Sequence, residues 1–564
     1  MIRFNKLFYK EAFIMKAKKI MSLAMVAALS LSSLAVAGCN REEENSGGDP
    51  DKTQIHVAIF EGGYGAEWAK AAAKRFEAIY GDTVIEAGKT GIEIYIDDDK
   101  KYTGTELASS VSSWEADIYF TEGLTSYNTM VNSGAFLEIT DIVTEELSAY
   151  GETQSMEDRM NSSYRSWFKT NANKYYAVPY YEGAYTLNYD IDLFEEECLF
   201  FAENGTDFIA SPTAKKSAGP DDEFGTIDDG LPATYDDFFR LMDRMVTKSI
   251  TPILWSGTYQ NYFAQMLLSL WADYEGQDKA TAHFNFDGER TIDVIESFDS
   301  SNNPVISETT VTPETGYKVF KQPGIYYALN FAERIVDNKR YYDYTNCFGG
   351  GLDNLGAQEQ YLYSKPSGSP IGILVEGGWW YNEAKTVFDD LADDFGEEQR
   401  NRRFGVMTLP KATSEKVGES QTLYDVLCSA AFINAKIDSY KIDIAKKFLQ
   451  FCYTEESCRE FTKSTSATLP YSYTMEKDEI ESLSTIGQVN YDIHSKGGYF
   501  LPVNQSKIFL SAPSLATIEG FWQTKTNGYI PQTAFDKGTS AKSYFESIGS
   551  IYNASAWTQN YYKK

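Results

Sequence analysis

Short apolar runs and amphipathic stretches alternate at the start of the folded region. IHVAIF (55–60) is an apolar run that predicts a strand, and EGGYG (61–65) breaks it. In AEWAKAAAKRFEAIYG (66–81), Trp68, Ala72, Phe76 and Ile79 recur at helical spacing, and Gly81 suits a C-terminal cap. GIEIYI (91–96) and ADIYF (116–120) are further strands. The order β-α-β opens an α/β lobe.

The alternation continues. SYNTMVNSGAFLEIT offers a helix, a glycine stop and a loop, and YYAVPYYEGAYTLNYD (175–190) is a long extended run rich in tyrosine. LPATYDDFFRLMDRMV opens a helix with Thr234 as cap and Asp237 three residues on, a capping box; Phe238, Leu241, Met242 and Met245 form its core stripe. Residues 285–318, rich in Thr, Ser and Val with Asp-Gly and Asn-Asn-Pro turns, suggest an inserted β-hairpin. YKIDIAKKFLQFC (440–452) is amphipathic through Ile442, Ala445, Phe448, Leu449 and Cys452. Thr454 with Glu455 and Glu456 caps the next helix. No internal repeat is present.

One run raises a question of its own. Ile371 to Val375 ends at Glu376, two glycines follow, and then two adjacent tryptophans, Trp379 and Trp380. Tryptophan is costly to leave in water and awkward to bury completely. Neighbouring strand residues point opposite ways, so a continuing strand would turn one indole to a ligand and one to the core; Trp380 is favoured for the ligand.

Composition narrows the classes. At 564 residues the chain exceeds one ordinary core, and 43% hydrophobic residues fit a globular protein of at least two domains. Forty tyrosines and nine tryptophans hint at recognition surfaces. A net charge of −30 leaves no basic face for nucleic acid or for anionic lipid headgroups. Cys198, Cys347, Cys428, Cys452 and Cys458 are too few and too scattered for a disulfide framework. His56, His283 and His494 are isolated, read as structural or surface residues, and no cofactor is expected.

The N-terminus carries a targeting pattern. Residues 15–40 begin with Lys16, Lys18 and Lys19 and continue through an apolar stretch from Ile20 to Ala37, the form of a secretory signal; Met15 is an alternative start. Val36-Ala37-Gly38-Cys39 resembles a bacterial lipobox. That resemblance implies cleavage before Cys39, a diacylglycerol-modified thiol and a stable anchor on the outer face of the cell membrane. Residues 1–38 would be the signal peptide and 39–53 a polar tether; losing six Lys/Arg and one Glu moves the net charge from −30 to −35.

Three groups of residues, in order, resemble the family 1 extracellular solute-binding proteins. They are NKYYAVPYYEGAYTLNYDIDLFEE with LPATYDDFF, SPIGILVEGGWWYNEA with RFGVMTLP, and SAAFINAKIDSYKIDIAKKFLQFCYTEESCREFTKSTSATLPYS. The likeness spans roughly 54–475. It implies an α/β fold of two lobes, 54–181 with 426–467 and 185–410 with 473–564, around a ligand cleft. The chain would cross near 181–185, 409–426 and 467–473.

The resemblance also implies a function: capture of a carbohydrate, expected to be an oligosaccharide, for the permease subunits of an ABC importer, by a monomer that breaks no bond. Indoles stack on sugar faces while carboxylates take hydroxyls. The candidate ligand residues are Glu61, Tyr64, Glu122, Tyr181, Glu182, Trp255, Trp379, Trp380 and Trp522, with Ser126 beside Glu122. Relatives with a Trp after the third strand differ from this chain, which has Thr121 there; that departure speaks against maltodextrin. The competing readings are a glycan-binding surface lipoprotein without a transporter, a non-sugar solute, and a glycoside hydrolase using Glu182 and Glu376. The glycines of 61–65 lack P-loop spacing. AGPDDEFGTIDDGLP (218–232) sets Asp221, Asp222, Glu223, Asp228 and Asp229 around glycines, either as a calcium loop or as a solvated acidic turn.

Overall fold

The computed structural model describes residues 48–60, 62–98, 115–124, 127–502 and 506–563. The expected signal segment (1–38), Cys39, Glu61 and Ser126 lie outside the described residues. Among those described, no helix is long and apolar enough to cross a membrane.

Thr53–Lys564 forms one compact unit built on two main sheets. β1 (Thr53–Ile59), helix α1 (Glu67–Tyr80), β2 (Ile92–Asp97) and β3 (Ile118–Thr121) begin the first, with β1 parallel to both neighbours. Trp68, Ala69, Ala72, Ala73 and Phe76 are the buried face of α1; Ile79, expected in that stripe, is exposed, so the stripe ends one turn early. Helix α2 (Ser162–Phe168) and β4 (Val178–Pro179) precede the first passage to the second sheet, at 180–184.

β5 (Tyr185–Asp190) starts that second sheet. Helix α3 (Tyr235–Thr247) has the Thr234–Asp237 capping box and buries Phe238, Leu241, Met242 and Met245. β6 (Thr251–Leu254) leads into helix α4 (Asn261–Asn285), which is broken at Gly276. β7 (Thr291–Phe298) and β8 (Pro304–Thr310) form the expected hairpin. Helix α5 (Pro323–Asp337) and helix α6 (Asn354–Ser364) follow, then β9 (Ile371–Gly377), helix α7 (Trp380–Glu383) and β10 (Phe404–Val406). The sheet order is β10-β5-β9-β6. Every residue of β9 is buried, as its unbroken apolar sequence requires.

The chain returns through 407–429, where β11 (Leu423–Tyr424) pairs with a later strand, to β12 (Ala430–Ile433). β12 runs antiparallel between β3 and β4, giving the order β2-β1-β3-β12-β4. Helices α8 (Ile442–Phe451) and α9 (Glu455–Thr465) then pack on α1, with Phe448 and Phe461 against Phe76 and Trp68. A third passage leads to helix α10 (Thr485–Ser495) and to β13 (Tyr499–Phe500), the partner of β11. The C-terminal helices, among them Pro531–Asp536 and Ala541–Ile551, pack on α5. The described cysteines are all free.

Candidate functional site

The ends of β1, β3, β6 and β9 converge on the first two passages between the sheets. The loops after parallel strands are where α/β lobes take ligands. Backbone bonds from Gly123 N to Leu427 O (2.7 Å) and from Leu124 N to Cys428 O (3.0 Å) seat the loop after β3 on the second passage.

Glycine makes the approach between the two halves of the site close. Gly63 has φ +86°, and a Cβ there would lie 2.7 Å from Glu383 Cγ and 3.0 Å from Trp379 Cβ. At Gly377 a Cβ would fall within 2.1–2.3 Å of three atoms of the Trp379 ring. The indole therefore folds back over the end of its own strand, which only a residue without a side chain permits. This explains the first of the two glycines before the tryptophans.

The expectation of a continuing strand fails: β9 stops at Gly377, and Trp379 is the residue capping α7. Trp380 is fully buried against Tyr361 and Phe404, whereas Trp379 stands between the loop after β1 and Tyr185. Both indoles are buried, Trp379 where the loops of the two sheets meet and Trp380 behind it, because the first helical turn, not the pleat, separates them.

Around Trp379 runs a row of rings. Tyr181 meets Tyr64 edge-on at 4.7 Å; Trp379 meets Tyr185 at 5.0 Å; Tyr185 meets Tyr262 at 4.4 Å; and Tyr262 stacks with the exposed Tyr259 at 5.8 Å. Tyr259 and Tyr262 belong to SGTYQNYF, which follows β6, and went unnoticed in the sequence. Their signal was present: a strand ending in a Gly and two tyrosines at the ligand edge of the sheet.

Carboxylates flank the row. The Tyr181 hydroxyl donates to Glu122 Oε1. Burial pushes the Glu122 carboxyl well above its ordinary range, and Asp425 and Glu383 add to the push. Glu376 is buried at the end of β9; its Oε1 accepts from Gly377 N at 2.9 Å, and the Gln358 side chain also favours its charged form. Burial, and then Glu383, raise it too. Asp425, bonded by Tyr164 and by Leu427 N (2.8 Å), is pushed up to about 7, chiefly by burial.

Glu182 plays a different part from the expected hydroxyl acceptor. Its Oε2 lies 2.8 Å from His494 Nδ1 and accepts from Thr468 Oγ1 at 2.7 Å, and its N–H donates to Thr468 O at 2.9 Å. All three residues are largely covered, so Glu182 ties the first passage to the third and to α10. His494, read from sequence as isolated, is its partner. Trp255 is enclosed by Phe263 and Tyr342, and Trp522 bonds Ala264 O through Nε1 at 3.1 Å. Both are fully buried and back the site rather than face it.

Beside the row opens a cavity of about 460 Å³, within the range of small-molecule sites. Trp167 of α2, Asn261 and Gln265 of α4, Tyr424 and Asp425 of the second passage, and Glu519 line it. Asn261 and Gln265 are one helical turn apart on one face.

The acidic loop caps itself. Asp221 accepts from Glu223 N (2.9 Å), Asp229 from Gly225 N (2.9 Å), and buried Asp228 from Thr226 Oγ1 (2.8 Å), while Asp222 is exposed. Among the described residues, no group of three or more His, Cys, Asp or Glu is arranged to hold a metal ion.

No family model and no curated protein matches the chain by sequence. Solved structures match by fold. A chitin oligosaccharide binding protein aligns with TM-score 0.52 and 14% identity, over 90% of this chain and 100% of its own. Apo RafE from Streptococcus pneumoniae aligns with TM-score 0.51 and 12% identity, over 90% and 99%. RafE with raffinose gives 0.50 and 12%, over 90% and 100%. The chain thus has the two-lobe α/β fold of these solute-binding proteins.

Proposed function

We propose that the chain is a family 1 extracellular solute-binding protein, a lipid-anchored receptor that captures a carbohydrate and presents it to the permease subunits of an ABC importer. The observation that carries this reading is the row Tyr64, Tyr181, Trp379, Tyr185 and Tyr262 with carboxylates along it, placed where strands of two sheets end. Ring faces suit the C–H faces of a sugar, and carboxyls suit its hydroxyls. Fold-mates that bind chitin oligosaccharide and raffinose support the same class.

The first lobe comprises 54–181 with 426–467 and the second 185–410 with 473–564, and ligand draws them together by hinge motion. Its length of row and adjoining cavity suit an oligosaccharide. Cys39 carries the anchor, and the protein acts as a monomer. No hydrolysis is assigned: Glu182, one of the two acids that such a reaction would need, is held by His494 and Thr468.

Titration calorimetry of the chain from Thr53, against a panel of glycan oligosaccharides, tests this. Binding to one chemical series, weakened in Trp379→Ala and unchanged in Glu289→Gln on the exposed surface, is expected. A folded protein that binds no sugar refutes the carbohydrate reading.

A further inference from the structure

The ring row reaches α4 at Tyr262, and the 460 Å³ cavity begins at the next residue back, Asn261. Gln265 and Leu268 line the cavity beyond it. Residues spaced by four and then three fall on one helical face, so Asn261, Gln265 and Leu268 form a single wall. The row and the cavity are adjacent stations along one helix.

The other walls come from distant parts of the chain. Trp167 stands on α2, Tyr424 and Asp425 on the second passage, and Glu519 near the C-terminus. Bonds made behind the walls hold them in place. Trp522 Nε1 donates to Ala264 O of α4 at 3.1 Å, and the Tyr424 hydroxyl donates to Ala516 O at 3.2 Å. Leu501 N donates to Ser163 Oγ of α2 at 3.2 Å, and Trp167 packs edge-on against Phe509 at 6.1 Å.

One group in the α4 wall departs from the habit of this protein's covered amides. Gln450 Nε2 donates to Ile142 O at 3.0 Å, Gln532 Nε2 to Gln260 O at 2.6 Å, and Asn490 Nδ2 to Ser466 O at 2.8 Å. Each of these amides ties two segments together. Gln265 ties none among the described residues, and its Oε1 is shielded from water without a donor. An amide oxygen left in that state costs stability. Packing does not call for it: the flanking Ala264 and Met266 are buried and apolar, and leucine would fill nearly the same space. The last torsion of glutamine is soft, so a hydroxyl in the cavity can recruit this oxygen. A sugar ring suits the remaining walls as well, with C–H faces for Trp167 and Tyr424 and hydroxyls for the amides and for Glu519.

We propose that this cavity holds a terminal sugar unit of the ligand, and that Gln265, with Asn261 one turn before it, reads neighbouring hydroxyls of that unit. This rests on the carbohydrate reading above and adds to it where the ligand ends and which residues select the end unit. The following units then lie toward Tyr262 and the ring row. Gln265 is retained at a cost to the fold because its hydrogen bonds are made to ligand.

The test uses the purified protein and five trisaccharides: raffinose, maltotriose, cellotriose, laminaritriose and tri-N-acetylchitotriose. Calorimetry finds the tightest of these, which is then measured again as analogues lacking one hydroxyl of a terminal ring. Gln265→Leu should weaken that trisaccharide roughly tenfold while the melting temperature holds or rises, since the fold loses no hydrogen bond. Asn261→Ala, at a half-buried position, should weaken it severalfold, and Glu289→Gln should not. One deoxy analogue should bind the wild type roughly tenfold more weakly and lose nothing further in Gln265→Leu, the mark of a shared bond. If leucine is not tolerated at 265, Gln265→Met and Asn261→Ala are read by the same criteria. A trisaccharide that binds the wild type and both variants equally overturns the proposal and leaves the carbohydrate reading intact. A melting temperature that falls in step with affinity gives the amide a structural role and overturns the proposal too. A folded wild type that binds no sugar overturns the carbohydrate reading, and the proposal with it.

Discussion

Gly63→Ala isolates the contact on which closure of the site depends. The new methyl would lie 2.7 Å from Glu383 Cγ and 3.0 Å from Trp379 Cβ, against an optimal carbon separation of about 3.5–4.0 Å. Glu383 can swing aside, although it would then lose its 2.7 Å bond from Gln358. Trp379 Cβ cannot move without shifting the start of α7. Overpacking of this kind costs roughly 1–3 kcal/mol. The φ of +86° adds about 1 kcal/mol of strain for alanine, present whether or not ligand is bound, so it lowers the melting temperature but cancels from affinity. The steric cost falls only on the form in which the loop after β1 meets the tryptophan. Affinity should therefore drop roughly 5- to 150-fold. Calorimetry gives the affinity, and small-angle scattering with saturating ligand gives the compaction. Wild-type affinity combined with a lowered melting temperature would show that these segments do not meet in the liganded state, and the placement of the site would be wrong.

Further tests separate the roles assigned above. Trp379→Ala should weaken ligand binding by about 1–3 kcal/mol, the order expected for a stacking face, whereas Trp380→Ala should cost about 3–5 kcal/mol of stability by urea unfolding; the reverse pattern would restore the original preference. His494→Ala leaves Glu182 buried with Thr468 alone and should destabilise by about 3–5 kcal/mol, read the same way. Two acids predict a pH profile: Glu275, buried beneath Gly324, is pushed up to about 8, and Asp425 to about 7, both mainly by burial. Unfolded carboxyls titrate near 4, so between pH 4 and 8 the folded state holds more protons than the unfolded one. The stability that protonation confers is then complete below pH 4 and is lost as pH rises through 7 and 8. Melting temperature should fall across that window, and Glu275→Gln should flatten the fall; a variant with the wild-type slope refutes the assignment.

Most of the scaffold was legible because it follows from periodicity. The α1 helix, the Thr234 cap and the β7–β8 hairpin all depend on local pattern and turn chemistry, which a single sequence carries. The site was legible only in part. Trp255, Trp380 and Trp522 qualified by residue type, yet type does not say which way a side chain faces. The tyrosines of 259–262 were passed over because their place beside Tyr185 comes from β5 and β9 lying together, a pairing of segments about 190 residues apart. Glu182 was singled out as a ligand residue by resemblance, and its bond to His494 was not legible, since that partner lies 312 residues away.

The glycines mark the boundary between the two kinds of knowledge. In EGGYG and in EGGWW the pair reads from sequence only as a break in a strand. In the fold the two breaks face each other: Gly63 makes room for Trp379 and Glu383 of the other segment, and Gly377 for the ring of Trp379 in its own. One indole is thereby clasped by its own strand on one side and by the other sheet's loop on the other. A residue held in that way reports the relative position of the two sheets directly. Its fluorescence should change on ligand binding in the wild type, and the change should disappear in Trp379→Phe while the signals of the eight remaining tryptophans persist.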